Sequence, residues 1–72
     1  MKPKLLGTAT RYFLEVARTG SVTLASDQLH VASSAVSRQI AVLEEQLGLA
    51  LFERRGRGLV LSGAGERLAA GL

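Results

Sequence analysis

Between Ser34 and Gly48 the chain repeats apolar residues at one helical period: Val36, Ile40, Leu43 and Leu47. At about 100° per residue these four fall on a single narrow stripe. Ser34, Arg38, Ala41 and Glu45 point the opposite way, with Ser37 on the flank. The spacing predicts one amphipathic helix over residues 34–46, and Gly48 supplies its left-handed stop. Its aliphatic stripe has to be covered by the rest of a chain of only 72 residues. A domain of that size buries about 60% of the surface of its unfolded chain, so few side chains are spare.

Segments on both sides can supply the cover. Pro3 suits a first helical position. Leu6, Ala9, Phe13, Val16 and Ala17 follow helical spacing, which predicts a helix over 4–18 stopped by Gly20. Gly7, Thr8 and Thr10 weaken its first turns. Ser21 and Thr23 can each cap a following segment, 24–29. That segment is shorter than the roughly 12 residues an isolated helix needs, so packing through Ala25 and Leu29 must hold it. Residues 30–33 form the turn into the long helix. Past Gly48 the period changes: 51–54, 55–58 and 59–61 read as strand, glycine turn and strand. Such a hairpin also needs the helices for support. Ser62 offers a cap to a last helix with Ala64, Leu68 and Leu72 on one stripe. That stripe is still apolar at the final residue, so the chain is expected to be cut inside this helix.

Composition narrows the function classes. A hydrophobic content of 47% supports a packed core and argues against disorder. Cysteine is absent, which removes disulfides and thiolate metal sites and suits the cytoplasm. No apolar run approaches the roughly 18 residues of a membrane span. The N-terminus has no long apolar segment of the signal-peptide kind. One histidine, His30, and no acid pair at matching spacing leave no catalytic residue, no metal site and no cofactor to assign, so the chain is not expected to be an enzyme. His30 is read as an exposed turn residue.

The net charge of +3 fits a nucleic-acid module, and its placement says more than its sum. On the outer face of the long helix the first residues are short or cationic, and Glu44 and Glu45 come only at the far end. A duplex could approach the backbone closely at the start, where the helix dipole is positive. Arg38 can donate bidentately to guanine. Ser33, Ser34 and Ser37 can donate to phosphates or bases, although Ser33 and Ser34 equally suit capping. Arg54, Arg55 and Arg57 crowd the hairpin tip around Gly56 and Gly58, partly offset by Glu53. They suit phosphate neutralisation or a minor groove. An ordinary solvated helix face and a solubilising loop would carry the same residue types.

Taken together, Phe13, Val16-Ala17, Gly20-Ser21, Ala25, Leu29, Ser34-Ala35-Val36-Ser37-Arg38-Gln39-Ile40, Leu43-Glu44, Leu47-Gly48, Leu51-Phe52, Arg54, Arg57 and Ala64-Gly65 carry a resemblance. The chain resembles the N-terminal DNA-binding domain of LysR-type transcriptional regulators, most specifically over residues 31–52. The resemblance implies a mainly α winged helix-turn-helix: a three-helix core, a two-stranded β wing and the start of a linker helix. It implies 1–61 as the DNA-binding domain and 62–72 as the truncated start of a linker and dimerisation helix, with Ala64, Leu68 and Leu72 in the seam. It implies double-stranded promoter DNA as partner, a dimer that this short seam makes weak, and an effector ligand only if a C-terminal domain follows. Major-groove contacts map to Ser33, Ser34, Ser37 and Arg38. The wing contact maps to Arg57, with Arg54 nearby.

The family usually has a capping serine at position 32 and a base-reading glutamine at 33; this chain has Ala32 and Ser33. Ser33 is therefore expected to cap, starting the helix one residue later. Thr10 stands where leucine is common and Gly63 where proline is common, which suggests looser ends to the first and last helices. Ser26 replaces a usual alanine, and its hydroxyl, if buried, must find a partner. Two rival functions remain: a protein-interaction module using the same fold, and RNA binding, which Tyr12, Phe13 and Phe52 serve poorly because two of them look buried.

Overall fold

The computed structural model describes residues 7–72. The expectations for Pro3, Lys4 and Leu6 lie outside the described residues. Helix α1 spans Thr8–Thr19, α2 Val22–Leu29 and α3 Ser33–Leu47; strands β1, Phe52–Arg55, and β2, Gly58–Leu61, are followed by α4, Gly63–Gly71. This is the winged helix-turn-helix the sequence implied.

Helix α1 starts at Gly7 with no side-chain cap and ends at Gly20, whose φ of 72° places its N–H on the Val16 carbonyl. Its inner face buries Phe13 and Val16. These meet Ala25 from α2, Val36 and Ile40 from α3, and Leu51 from the loop before β1. Phe13, Val16, Val36 and Leu51 are fully buried. Each contributes about 1.5–3 kcal/mol relative to exposure. A domain of this size has only a few kcal/mol of net stability, so each is a large share of it. Phe52 adds a tilted contact to Phe13, with ring centroids 5.5 Å apart.

The helix-turn-helix corner is built by local hydrogen bonds. Ser21 Oγ accepts the Leu24 N–H at 3.1 Å, so Ser21 rather than Thr23 is the cap. Helix α2 ends at His30, the only non-glycine described residue with positive φ, at 60°. The Val31 N–H then donates to the Ser26 carbonyl at 3.1 Å, closing the end of the helix. The start of α3 corrects the expectation that Ser33 would cap. Ala32 holds the cap position with φ −71° and ψ 146° and gives no side-chain hydrogen bond. Its carbonyl accepts from Ala35 and Val36, so the helix begins at Ser33. A cap is set by backbone geometry first, and the usual side chain is simply absent.

The stripe of α3 also needs one correction. Val36 and Ile40 are buried and Leu43 half-buried, but Leu47 is 45% exposed. The chain reverses at Gly48, with φ 69°, and Leu51 fills the base of the core instead. Strands β1 and β2 pair antiparallel from Phe52↔Leu61 to Arg55↔Gly58. Gly56 takes φ 56° and Arg57 does not take positive φ, which suits a two-residue hairpin turn with glycine first. The wing is docked on the α1–α2 corner: the Leu59 N–H donates to the Gly20 carbonyl at 2.9 Å. A Cβ at Gly58 would sit 3.0 Å from that same oxygen. Helix α4 is better anchored than Gly63 suggested. Ser62 Oγ accepts the Gly65 N–H at 3.0 Å and donates to the Ala50 carbonyl at 2.7 Å.

Candidate nucleic-acid interface

The first two turns of α3 bring Ser33, Ser34, Ser37 and Arg38 to the surface together, all exposed. No acidic residue lies in the first turn. The surface therefore combines short side chains, one guanidinium and the positive end of the helix dipole. Arg38 and Ser37 lie on opposite flanks of this ridge. Arg38 and Ser34 border an open depression of about 360 Å³ shared with Tyr12, Ala35 and Gln39. Ser37 borders a second, of about 240 Å³, that α3 forms with Val22, Phe52 and Leu59.

Ser33 is exposed but engaged. Its Oγ lies 3.2 Å from Ser26 Oγ, on the helix behind it. Ser26, only 3% exposed, also donates to the Thr23 carbonyl at 2.8 Å. The buried hydroxyl thus has the partner it requires.

The three wing arginines are all exposed, but strand pairing divides them. Side chains alternate along a strand, and directly paired residues share a face. Arg54 therefore shares a face with Phe52, Leu59 and Leu61, the face turned to the helices. Arg54 and Arg57 border a depression of about 210 Å³ together with Gly20, Ser21, Val22 and Thr23 at the start of α2. Arg55 lies on the other face, where its guanidinium is 3.6 Å from Glu53. Glu53 thus pairs with Arg55, the arginine on its own face.

Glu44 corrects the sequence reading in a different way. It is a structural acid: its Oε2 accepts the Leu51 N–H at 2.8 Å. The signal was available, since Glu44 follows Ile40 by four residues and so borders the buried stripe, whereas Glu45 is on the far side. Tyr12, half-buried beside Arg38, had no signal beyond its place on α1. On α4, Ala64 and Leu68 are half-buried and pack against the core, and Leu72 is 48% exposed. Among the described residues no cluster of three His, Cys, Asp or Glu could hold a metal ion. No described helix is long and apolar enough to cross a membrane.

Residues 8–66 match the family model of the bacterial regulatory helix-turn-helix proteins of the lysR family. The chain belongs to the LysR family. Among its LysR relatives, the transcriptional regulator TrpI of Pseudomonas aeruginosa is 50% identical over 60 residues, covering 83% of this chain and 20% of that protein. The regulator MetR of Haemophilus influenzae is 45% identical over 69 residues, 94% of this chain and 22% of that protein. The chain thus spans about a fifth of the length of these curated relatives. Among solved structures, a LysR regulator from Eggerthella lenta superposes with a TM-score of 0.82 at 38% identity, covering 88% of this chain and 90% of that one. The BenM DBD in complex with catB site 1 DNA superposes with a TM-score of 0.82 at 37% identity, covering 99% of this chain and 74% of that one. The LysR family is one of transcriptional regulators and not an enzyme family.

Proposed function

We propose that the chain binds double-stranded DNA with sequence preference, as the DNA-binding domain of a LysR-type transcriptional regulator. The observation that carries this reading is the acid-free start of α3. There Ser33, Ser34, Ser37 and Arg38 are exposed together, beside a wing whose Arg54 and Arg57 border the start of α2. The BenM DBD and the CbnR DBD, similar to this chain at 37% and 35% identity, were solved as DNA complexes, which supports the same use of the fold.

In this reading α3 enters the major groove by its N-terminal end, and Arg38 reads a base edge. Arg54 and Arg57 meet phosphates or a narrow minor groove. Residues 1–61 act as the binding unit and 62–72 begin a linker helix. A homodimer through α4 is weak here, because Ala64 and Leu68 already pack on their own core and Leu72 alone of the three stays exposed. An effector ligand enters only through a C-terminal domain. The setting is cytoplasmic, where promoter DNA lies. A protein-interaction module would use the same fold without the salt-dependent affinity described next.

The test is a titration of random-sequence duplex at several salt concentrations. Two phosphates neutralised by the wing give a log–log slope of about −2 or steeper per protomer. Absent binding at low salt, or affinity indifferent to salt, contradicts the proposal.

A further inference from the structure

The Ser26–Ser33 contact fixes the chemistry that Ser33 can offer, and this inference rests on the duplex-binding reading above. A serine hydroxyl has one proton to donate and two lone pairs to accept with. The Thr23 carbonyl can only accept, so its 2.8 Å contact with Ser26 Oγ uses the Ser26 proton. Ser26 Oγ then has only lone pairs left for Ser33 Oγ at 3.2 Å. The Ser33 proton is therefore the one between them, and the chain runs from Ser33 to Ser26 to the Thr23 carbonyl. Ser26 is 3% exposed, so water competes poorly for its lone pairs.

We infer that Ser33 is an acceptor-only base reader, selecting adenine or cytosine over guanine or thymine on the strand it faces. Ser33 occupies the first turn of α3 and is exposed, where the helix would meet base edges. With its proton held inward, it presents lone pairs alone. Phosphate oxygens accept and cannot pair with it. In the major groove adenine N6 and cytosine N4 donate, whereas guanine O6 and N7 and thymine O4 accept. Ser26 thereby acts as a positioning residue for specificity without touching DNA.

The experiment is a selection from random duplexes with the wild-type chain, Ser33→Ala and Ser26→Ala, with thermal melting to show that each variant is folded. Ser26→Ala restores the residue usual in the family and adds no volume, and the exposed Thr23 keeps water within reach of the carbonyl that loses its partner. For the wild type, one operator position should prefer adenine or cytosine by about fivefold, the value of a single net hydrogen bond. Ser33→Ala should abolish that preference. Ser26→Ala should free the Ser33 proton and bring all four bases at that position within about twofold. The same preference in Ser26→Ala as in wild type, or its persistence in Ser33→Ala, overturns this inference while leaving duplex binding standing. Enrichment of no sequence by the folded wild type overturns the sequence preference in the reading above and this inference with it.

Discussion

The carboxylate of Glu44, at the end of α3, accepts the backbone N–H of Leu51 at 2.8 Å. Leu51 is fully buried, and its carbonyl is taken by the Ser62 N–H at 2.9 Å. The first bond fastens the end of α3 to the loop that enters β1, and the second fastens that loop to the start of α4. Glu44→Ala leaves a buried donor without a partner and should cost about 1–3 kcal/mol. Glu44→Gln keeps an acceptor and should cost less than half as much. Urea denaturation of the two variants checks the ranking, and equal losses would show that the bond contributes little.

A methyl group should be intolerable at Gly65. Its Cβ would lie 2.2 Å from the Leu51 carbonyl oxygen, a backbone atom that cannot rotate away. Gly65→Ala should cost about 3 kcal/mol or more, the upper range of overpacking. In a domain this small that is a large share of total stability. Circular dichroism melting should show a broad or early transition, whereas Gly71→Ala, with open space around its Cβ, should melt like the wild type.

Much of this arrangement was legible in the sequence. Gly20 and Gly48 mark helix ends because each must take positive φ there, and Val36 and Ile40 mark the core by spacing alone. What stayed hidden depends on contacts between segments. Leu47 obeys the stripe, but the chain turns away before anything covers it. The three wing arginines look alike until strand register places Arg55 beside Glu53 and Arg54 opposite Leu59. The Ser26–Ser33 pair joins residues seven apart across a turn whose geometry depends on His30 in the left-handed region.

The uncapped start of α3 offers a gain. Ala32 already has the extended backbone of a cap residue, so Ala32→Ser needs no rearrangement. It should stabilise the domain by about 1 kcal/mol. For a chain of this length that raises the melting midpoint by about 4–8 °C. An unchanged or lower midpoint would mean that the first turn of α3 is satisfied in another way.

Arg54 and Arg57 border the start of α2, whereas Arg55 sits beside Glu53 on the far face of the wing. Arg57→Ala should weaken binding evenly across sequences and flatten the log–log salt slope by about 0.9, the share of one phosphate. Arg55→Ala, on the far face beside Glu53, should change the slope by less than half of that. Fluorescence anisotropy on one duplex over a salt series reads both, and equal changes would place the two arginines on the same footing against DNA.

If α3 reads bases through its exposed N-terminal turns, selection from random duplexes with the wild-type chain and with Arg38→Ala will reveal it. The wild type should enrich a reproducible motif. Arg38→Ala should lose about 1–3 kcal/mol of discrimination at one position while keeping most of its affinity for random duplex. No motif from the wild type, or the same motif at the same strength from Arg38→Ala, would contradict it.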